Sequence, residues 1–174
     1  MGCRQSLILI VFFFVISSCS FGFKGISIPP TVNTYFVDQF QNGAGNAPPD
    51  IGQRFSDVLK DRVTRNSRLD YSEDGPDIEF SGTVTSFSVS AVAPERLDSD
   101  SGLTEFGSTL NRLNISVQVD YIDNQDDDAS WSQSFSFFED FEATTILSDV
   151  QDELIEIIFD QLTTDIFNKS FTNW

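Results

Sequence analysis

The chain has 174 residues with 27 acidic and 10 basic side chains, so its formal net charge is −17. A charge of this sign opposes binding to nucleic acids and to anionic headgroups, since both present phosphates. The chain contains no histidine, which removes the commonest general base and a major metal ligand. We therefore expect neither an enzyme nor a metal site, and no cofactor.

Residues 1–18 have the pattern of a secretory signal peptide. The basic residue Arg4 precedes an apolar run that starts at Leu7, and small residues follow this run. The run is too short for a helix that crosses a bilayer, which takes roughly 20 residues. Ile16 to Cys19 resembles the bacterial lipobox, in which the cysteine is acylated and becomes the mature N-terminus. Cys19 is thus the predicted lipidation site, and the alternative is an ordinary cysteine of the signal region.

The mature chain is predicted to contain a lipidated tether at 19–30 and a single domain at 31–174. The tether combines glycine, serine and a double proline, which is typical of a linker. The 156 residues that remain after cleavage suit one core, and nine basic against 27 acidic side chains give them a formal charge of −18. Once Cys19 is acylated no thiol is left for a disulfide, so the domain is expected to fold by packing alone.

A strand and then a helix are predicted in the first half of the domain. Val32 to Phe40 is rich in β-branched and aromatic residues, and Gln41 to Pro49 collects turn residues. Apolar residues three and four apart then predict a helix from Asp50, the expected N-cap, to Arg65. The basic residues on or just beyond this helix form either a solvated face or a cationic patch for phosphate or sugar acids: Arg54, Lys60, Arg62, Arg65 and Arg68.

Three strands are predicted next. Ile78 to Ala93 alternates between apolar and polar residues, with a change of parity near Thr85-Ser86 that indicates a β-bulge. Leu113 to Tyr121 alternates without interruption. After an acidic turn, Trp131 to Phe137 continues the alternation as the last strand.

A second helix completes the predicted domain. Apolar residues recur at helical spacing from Ser148 to Asn168, and Ser148 with Gln151 matches a capping box. The pattern as a whole predicts an α+β fold with the element order β-α-β-β-β-α. We expect a two-layer sandwich in which two helices pack on one face of a mostly antiparallel four-stranded sheet.

The same alternation predicts a polar face on the side of the sheet away from the helices. If the odd positions of Leu113 to Tyr121 pack on the helices, the even positions face outward. This surface is hydroxyl-rich and almost uncharged, whereas an ordinary solvated face of so acidic a chain would carry more charge. It is either a wet docking surface or a free face with few charges. The candidate partner-binding residues are Asn114, Ser116, Gln118, Ser132, Ser134, Ser136 and Phe138.

The lipobox, the proline-containing segment Ile26 to Pro30 and the order of the elements resemble the LptE family, the lipopolysaccharide-assembly lipoproteins, in the form found in Bacteroidetes. The resemblance implies a lipoprotein anchored in the outer membrane and facing the periplasm. It also implies that the chain binds the β-barrel LptD and sits partly inside it as a plug. In this family the lipoprotein helps to assemble the translocon that delivers lipopolysaccharide to the cell surface. The family has no catalytic residues. Lipopolysaccharide itself is an implied ligand through basic residues, which the charge of −18 opposes here.

Two other functions fit the sequence. One is an envelope lipoprotein without a barrel partner that captures glycan on exposed aromatic residues, for which Phe138 and Trp174 are the candidates. The other is a hydrolase with paired carboxylates such as Glu139 and Glu142. So acidic a chain contains such pairs by chance, which argues against the hydrolase.

Overall fold

Two α-helices lie against a mixed six-stranded sheet in the part of the chain that a computed structural model describes, residues 28–92 and 110–172. The predicted α+β class is confirmed. The predicted lipidation site Cys19 and the candidate Trp174 lie outside the described residues. The strands are β1 Thr34–Val37, β2 Gln41–Asn42, β3 Asp70–Tyr71, β4 Ile78–Val92, β5 Leu110–Asp123 and β6 Trp131–Glu142, and the helices are α1 Ile51–Asn66 and α2 Leu147–Phe171.

The sheet differs from the predicted four antiparallel strands. As predicted, β4, β5 and β6 pair antiparallel, but β1 runs parallel to both β4 and β3, and β2 runs parallel to β4. Within the described residues the element order is therefore β-β-α-β-β-β-β-α instead of β-α-β-β-β-α. The order of strands across the sheet is β3-β1-β4-β5-β6, with β2 beside β4.

The prediction of one continuous strand from Val32 to Phe40 is wrong, and Gln41, expected in a loop, begins β2. The backbone leaves the ladder between β1 and β2 because Phe40 turns inward, where it is buried. The Phe40 N–H donates to the hydroxyl of Ser56 on α1 at 2.8 Å instead of to a neighbouring strand. A side chain on the helix thus replaces the ladder partner that the strand pattern implied.

The predicted bulge in β4 is confirmed. The register of β4 against β5 shifts between Val84 and Ser86. Before this point the even positions Ile78, Phe80 and Val84 are buried, and after it the buried residue is the odd-numbered Phe87. Because one extra residue reverses the side-chain alternation, the bulge keeps the apolar residues of this long strand on the same side.

Both helices pack on one face of the sheet, as predicted. Phe55 of α1 and Phe159 of α2 meet with ring centroids 5.0 Å apart, and Phe171 of α2 lies 6.2 Å from the ring of Phe80 on β4. The odd positions of β5 from Leu113 to Val119 are completely buried beneath the helices. No helix in the described part of the chain combines the length and the hydrophobicity of a membrane span.

The helix ends differ in detail from the prediction. Asp50 occupies the N-cap position of α1, but its side chain makes no capping hydrogen bond. The capping box predicted at Ser148 is wrong, because α2 already begins at Leu147 with Ile146 at the N-cap. The helix also continues to Phe171, which is buried against the sheet. Burial of this last apolar residue extends the helix beyond the predicted end at Asn168.

Candidate partner-binding face

The side of β4, β5 and β6 that faces away from the helices is lined by short polar side chains, and we call it the open face. The odd positions of β5 are buried beneath the helices, so the even positions face outward as predicted. Strand register aligns the open-face residues in rows across β4, β5 and β6. These rows are Ser81–Asp120–Ser132, Thr83–Gln118–Ser134, Ser86–Ser116–Ser136, Ser88–Asn114–Phe138 and Ser90–Arg112–Asp140.

Side chains of the open face form hydrogen bonds with one another across β5 and β6. The hydroxyls of Ser116 and Ser136 lie 3.0 Å apart, and Ser136 donates to the amide oxygen of Asn114 at 2.8 Å. The amide of Gln118 donates to the hydroxyl of Ser132 at 3.0 Å, and Ser132 donates to Asp120. The structure therefore brings together the predicted residues, and their role in binding a partner stays a prediction.

One end of the open face carries a charged and aromatic cluster that the sequence analysis missed. Arg112 donates from Nε and Nη2 to the two carboxylate oxygens of Asp140 at 2.7 and 2.9 Å. These bonds lower the pKa of Asp140 and raise that of Arg112. The guanidinium also lies 3.6 Å from the ring centroid of Phe138, which is 44% exposed. Arg112 and Asp140 are direct partners in the β5–β6 register, so only the strand alignment reveals the pair.

The predicted cationic residues all contact groups of the chain itself. Arg54 and Arg62 of α1 form ion pairs with Asp152 and Asp160 of α2, the first at 2.8 Å. Arg65 forms an ion pair with Asp61 on the same helix. The Lys60 ammonium lies 3.4 Å from the centroid of the Tyr71 ring, and Arg68 donates a hydrogen bond to the Pro29 carbonyl at 2.7 Å. These contacts favour the alternative of a solvated helix face, and anion binding by these residues stays a prediction.

The segment that enters β1 is held at one end of the sheet. Asp77 accepts hydrogen bonds from the backbone N–H groups of Asn33 at 2.7 Å and Thr34 at 3.0 Å, and from the side-chain amide of Gln125 at 2.6 Å. The bonds from Asn33 and Thr34 are the main reason that the pKa of Asp77 falls to about 2. The chain that leads back to the predicted lipid anchor therefore leaves the domain beside the turn between β5 and β6.

Neither of two cavities lined by the described residues contains a metal-binding group of side chains. One cavity of about 470 Å³ is lined by residues that include Asp38, Phe40 and Gly52. The other, of about 530 Å³, lies between β6 and α2. In the described ranges no group of three or more Asp, Glu, Cys or His is placed to hold a metal ion. Glu139 and Glu142 lie three residues apart on β6 and thus project from opposite faces, which does not suit a hydrolytic pair.

Comparison with known proteins identifies one family. The model of LptE, described as lipopolysaccharide-assembly, matches residues 32–170. No curated protein sequence matches the chain.

Solved structures share the fold at low sequence identity. A hypothetical protein from Chlamydia trachomatis has a TM-score of 0.50 at 6% identity, with 80% of this chain and 98% of that chain covered. A protein from Helicobacter pylori described as a neuraminyllactose-binding hemagglutinin homologue has 0.50 at 11%, covering 84% and 87%. A minor lipoprotein from Acinetobacter baumannii has 0.49 at 14%, covering 79% and 91%. At such identities the first two indicate a shared fold alone.

Proposed function

The chain belongs to the LptE family of lipopolysaccharide-assembly proteins, and on this premise we propose that it is an outer-membrane lipoprotein that binds and plugs an LptD-type β-barrel. The family is non-enzymatic and its members are envelope lipoproteins, so the function to be explained is binding. In this proposal the barrel is the stable partner, and the chain assists its assembly into the translocon that delivers lipopolysaccharide to the cell surface.

The proposed membrane anchor is a lipid on Cys19. Each buried methylene of an acyl chain contributes about 0.8 kcal/mol, so several chains give stable attachment. From Cys19 to Ile28, the first described residue, the backbone can span at most about 30 Å. The contacts of Arg68 with Pro29 and of Asp77 with Asn33 support an orientation in which this end of the sheet stays near the membrane.

Replacement of Cys19 by alanine tests the anchor. We expect the variant to lose labelling by a palmitate analogue in cells and to leave the membrane pellet, whereas a Cys3→Ala variant should keep both properties. A Cys19→Ala variant that remained labelled and sedimented with membranes would overturn the proposed lipidation.

The observation that carries the barrel-binding proposal is the composition of the open face. In the four rows that contain Asp120, Gln118, Ser116 and Asn114, every side chain except Phe138 is polar and Asp120 is the only charged one, although the chain has a net charge of −17. The lumen of an outer-membrane barrel is polar, so a plug exchanges hydrogen bonds there, directly or through water, instead of burying apolar area. Short hydroxyl side chains permit close approach and lose little rotamer entropy on binding.

Site-specific photo-crosslinking in living cells tests this docking surface. A photoreactive residue at Gln118 or at Ser134 should capture the barrel, which mass spectrometry identifies. A residue at Asp127, in the turn between β5 and β6, need not capture it, and a residue at the exposed Asp57 of α1, on the helix side of the sheet, is the matched control and should capture little. If the barrel co-purified with the chain but neither open-face position captured it, the open face would be ruled out as the docking surface.

The structure gives less support to glycan capture. Sugar rings stack on exposed aromatic faces, and Phe138 is exposed at the edge of the open face. The guanidinium of Arg112 already covers one face of the Phe138 ring at 3.6 Å. Phe138 is also the only aromatic residue in the described rows of the open face, and a single ring gives little stacking area for a glycan, so we favour the barrel partner.

A further inference from the structure

The strand β6 forms a long edge of the sheet. It has 12 residues, and within the described part of the chain its only strand neighbour is β5. In an antiparallel pair, about half of the N–H and C=O groups of each strand point away from the partner. Those of β6 form a row of backbone donors and acceptors along the side of the molecule.

This edge lacks the devices that usually prevent pairing with another chain. Natural edge strands are commonly short, bulged, or interrupted by lysine or proline. From Trp131 to Phe138, β6 contains no charged residue and no proline, and its register with β5 is continuous. On the opposite side of the sheet, β2 and β3 have only two residues each and β1 has four. Among the described strands β6 therefore offers the longest free edge, and β4 offers a shorter one over residues 85–92, beyond its pairing with β1 and β2.

A cavity of about 530 Å³ lies next to this edge, between β6 and α2. Its apolar lining comes from Phe137 and from Ile157, which is 43% exposed, and its carboxylates come from Glu139, Glu156 and Asp160. Asp160 pairs with Arg62, but in the described ranges neither Glu139 nor Glu156 has an ion-pair partner. The cavity therefore combines an apolar surface with two carboxylates available to a cation.

We propose that β6 binds an extended segment of a partner protein by strand addition, and that this segment carries an apolar and a basic side chain two residues apart, so that both lie on the helix side of the sheet. Its backbone pairs with the free edge of β6, an apolar side chain contacts Phe137 and Ile157, and a lysine or arginine contacts Glu139 and Glu156. A second copy of this chain is a poor occupant, because each copy has a net charge of −17 and pairing would bring their carboxylates together. This inference does not rest on the proposed barrel plug, which uses the open face.

Peptide binding to the mature lipoprotein in detergent tests the proposal. The probe is a fluorescent peptide of the length of β6 with the repeat valine-serine-lysine-serine, in which valine and lysine lie on the same face of the strand, and binding is followed by anisotropy. We expect saturable binding that weakens roughly tenfold in the variant Glu139→Gln/Glu156→Gln. The matched control Glu73→Gln/Asp74→Asn removes the same charge at exposed positions next to β3, on the opposite edge of the sheet, and should bind like the unmodified protein.

A second peptide with the same charge, in which two valines are replaced by proline, separates strand addition from general attraction to an acidic protein. Proline removes backbone donors, so this peptide should not bind detectably. Equal binding of the two peptides would overturn the proposal. Equal weakening of binding by Glu139→Gln/Glu156→Gln and by the control Glu73→Gln/Asp74→Asn would also overturn it. So would binding that appeared only after deletion of residues 94–108, or a dimer of the chain that excluded the peptide.

Discussion

Replacement of Gly52 by alanine is predicted to destabilise the domain, although alanine favours helices. Gly52 lies in the first turn of α1, where alanine is intrinsically better by about 1 kcal/mol. A Cβ at this position would lie 2.0 Å from the carbonyl oxygen of Phe40 and 2.9 Å from its carbonyl carbon, whereas real Cβ contacts are essentially never below 3.0 Å. The helix or the backbone at Phe40 must therefore move by about 1 Å, since a backbone atom cannot rotate away as a side chain can.

The surrounding contacts make this movement costly. The hydroxyl of Ser56 on α1 accepts a hydrogen bond from the buried N–H of Phe40 at 2.8 Å, and the ring centroids of Phe40 and Phe55 lie 4.9 Å apart. Overpacking costs about 1–3 kcal/mol, and a weakened buried hydrogen bond costs about 1–3 kcal/mol more. After subtraction of the helix preference of about 1 kcal/mol, we expect a loss of about 1–5 kcal/mol in the free energy of unfolding.

Urea unfolding followed by tryptophan fluorescence measures this loss, because Trp131 stacks on the ring of Tyr121 and reports on the core. Gly45→Ala is the matched control, since a Cβ there meets nothing within 4 Å, and its stability should stay within about 0.5 kcal/mol of the original. A Gly52→Ala protein as stable as the unmodified one would refute the close packing of α1 on the backbone at Phe40.

Three further predictions follow from the contacts. The pKa of Asp77 is about 2 in the folded protein and 3.8 in the unfolded chain, so its contribution to stability is present above pH 3.8 and is lost as the pH falls from 3.8 to about 2. Over this pH range the melting temperature of Asp77→Asn should therefore fall less than that of the control Asp74→Asn. Equal falls in melting temperature for the two variants would contradict this prediction. Arg62→Gln breaks an ion pair in which the Asp160 side chain is 73% exposed and that of Arg62 is 21% exposed, and it should cost less than about 1 kcal/mol, with the difference shrinking in high salt. A larger, salt-independent loss would show that the pair is not a surface contact. Addition of EDTA or of a reducing agent should leave the melting temperature unchanged, because the chain has no histidine and its two cysteines are Cys3, in the predicted signal peptide, and Cys19, the proposed lipidation site. A large fall with either reagent would reveal a metal or a disulfide.

Alternation and helical spacing predicted most of the fold because they record which side chains are buried. The period of two in β5 and the parity change at Thr85 predicted the outward residues and the bulge, and the apolar spacing from Ile51 to Val63 predicted α1. The parallel pairing of β1 with β4 was missed, since the pattern of a strand does not reveal the direction of its neighbour. Strands as short as β2 and β3 have no pattern to detect.

The sequence likewise predicted one part of the candidate site and missed another. The hydroxyl row on β5 and β6 followed from side-chain alternation, so Ser116 and Ser136 were predicted on one surface without knowledge of the register. The contact of Arg112 with Asp140 and Phe138 depends on which residues of β5 and β6 are opposite each other, and the edge of β6 depends on the order of strands. Both are properties of the assembled sheet that a single strand does not encode.

The most direct test of the central claim, that the open face docks on the barrel, is co-purification of the barrel with a chain whose open face is blocked. Ser116→Trp and Ser134→Trp, introduced together, place bulky side chains where the proposal requires close approach, while Ser148→Trp at the exposed start of α2 is the control. We predict that the double variant keeps its membrane anchor and melting temperature but recovers at least roughly tenfold less barrel than the control, as expected when bulky groups fill the centre of an interface. Recovery of the barrel in equal amounts with the two proteins would contradict the claim.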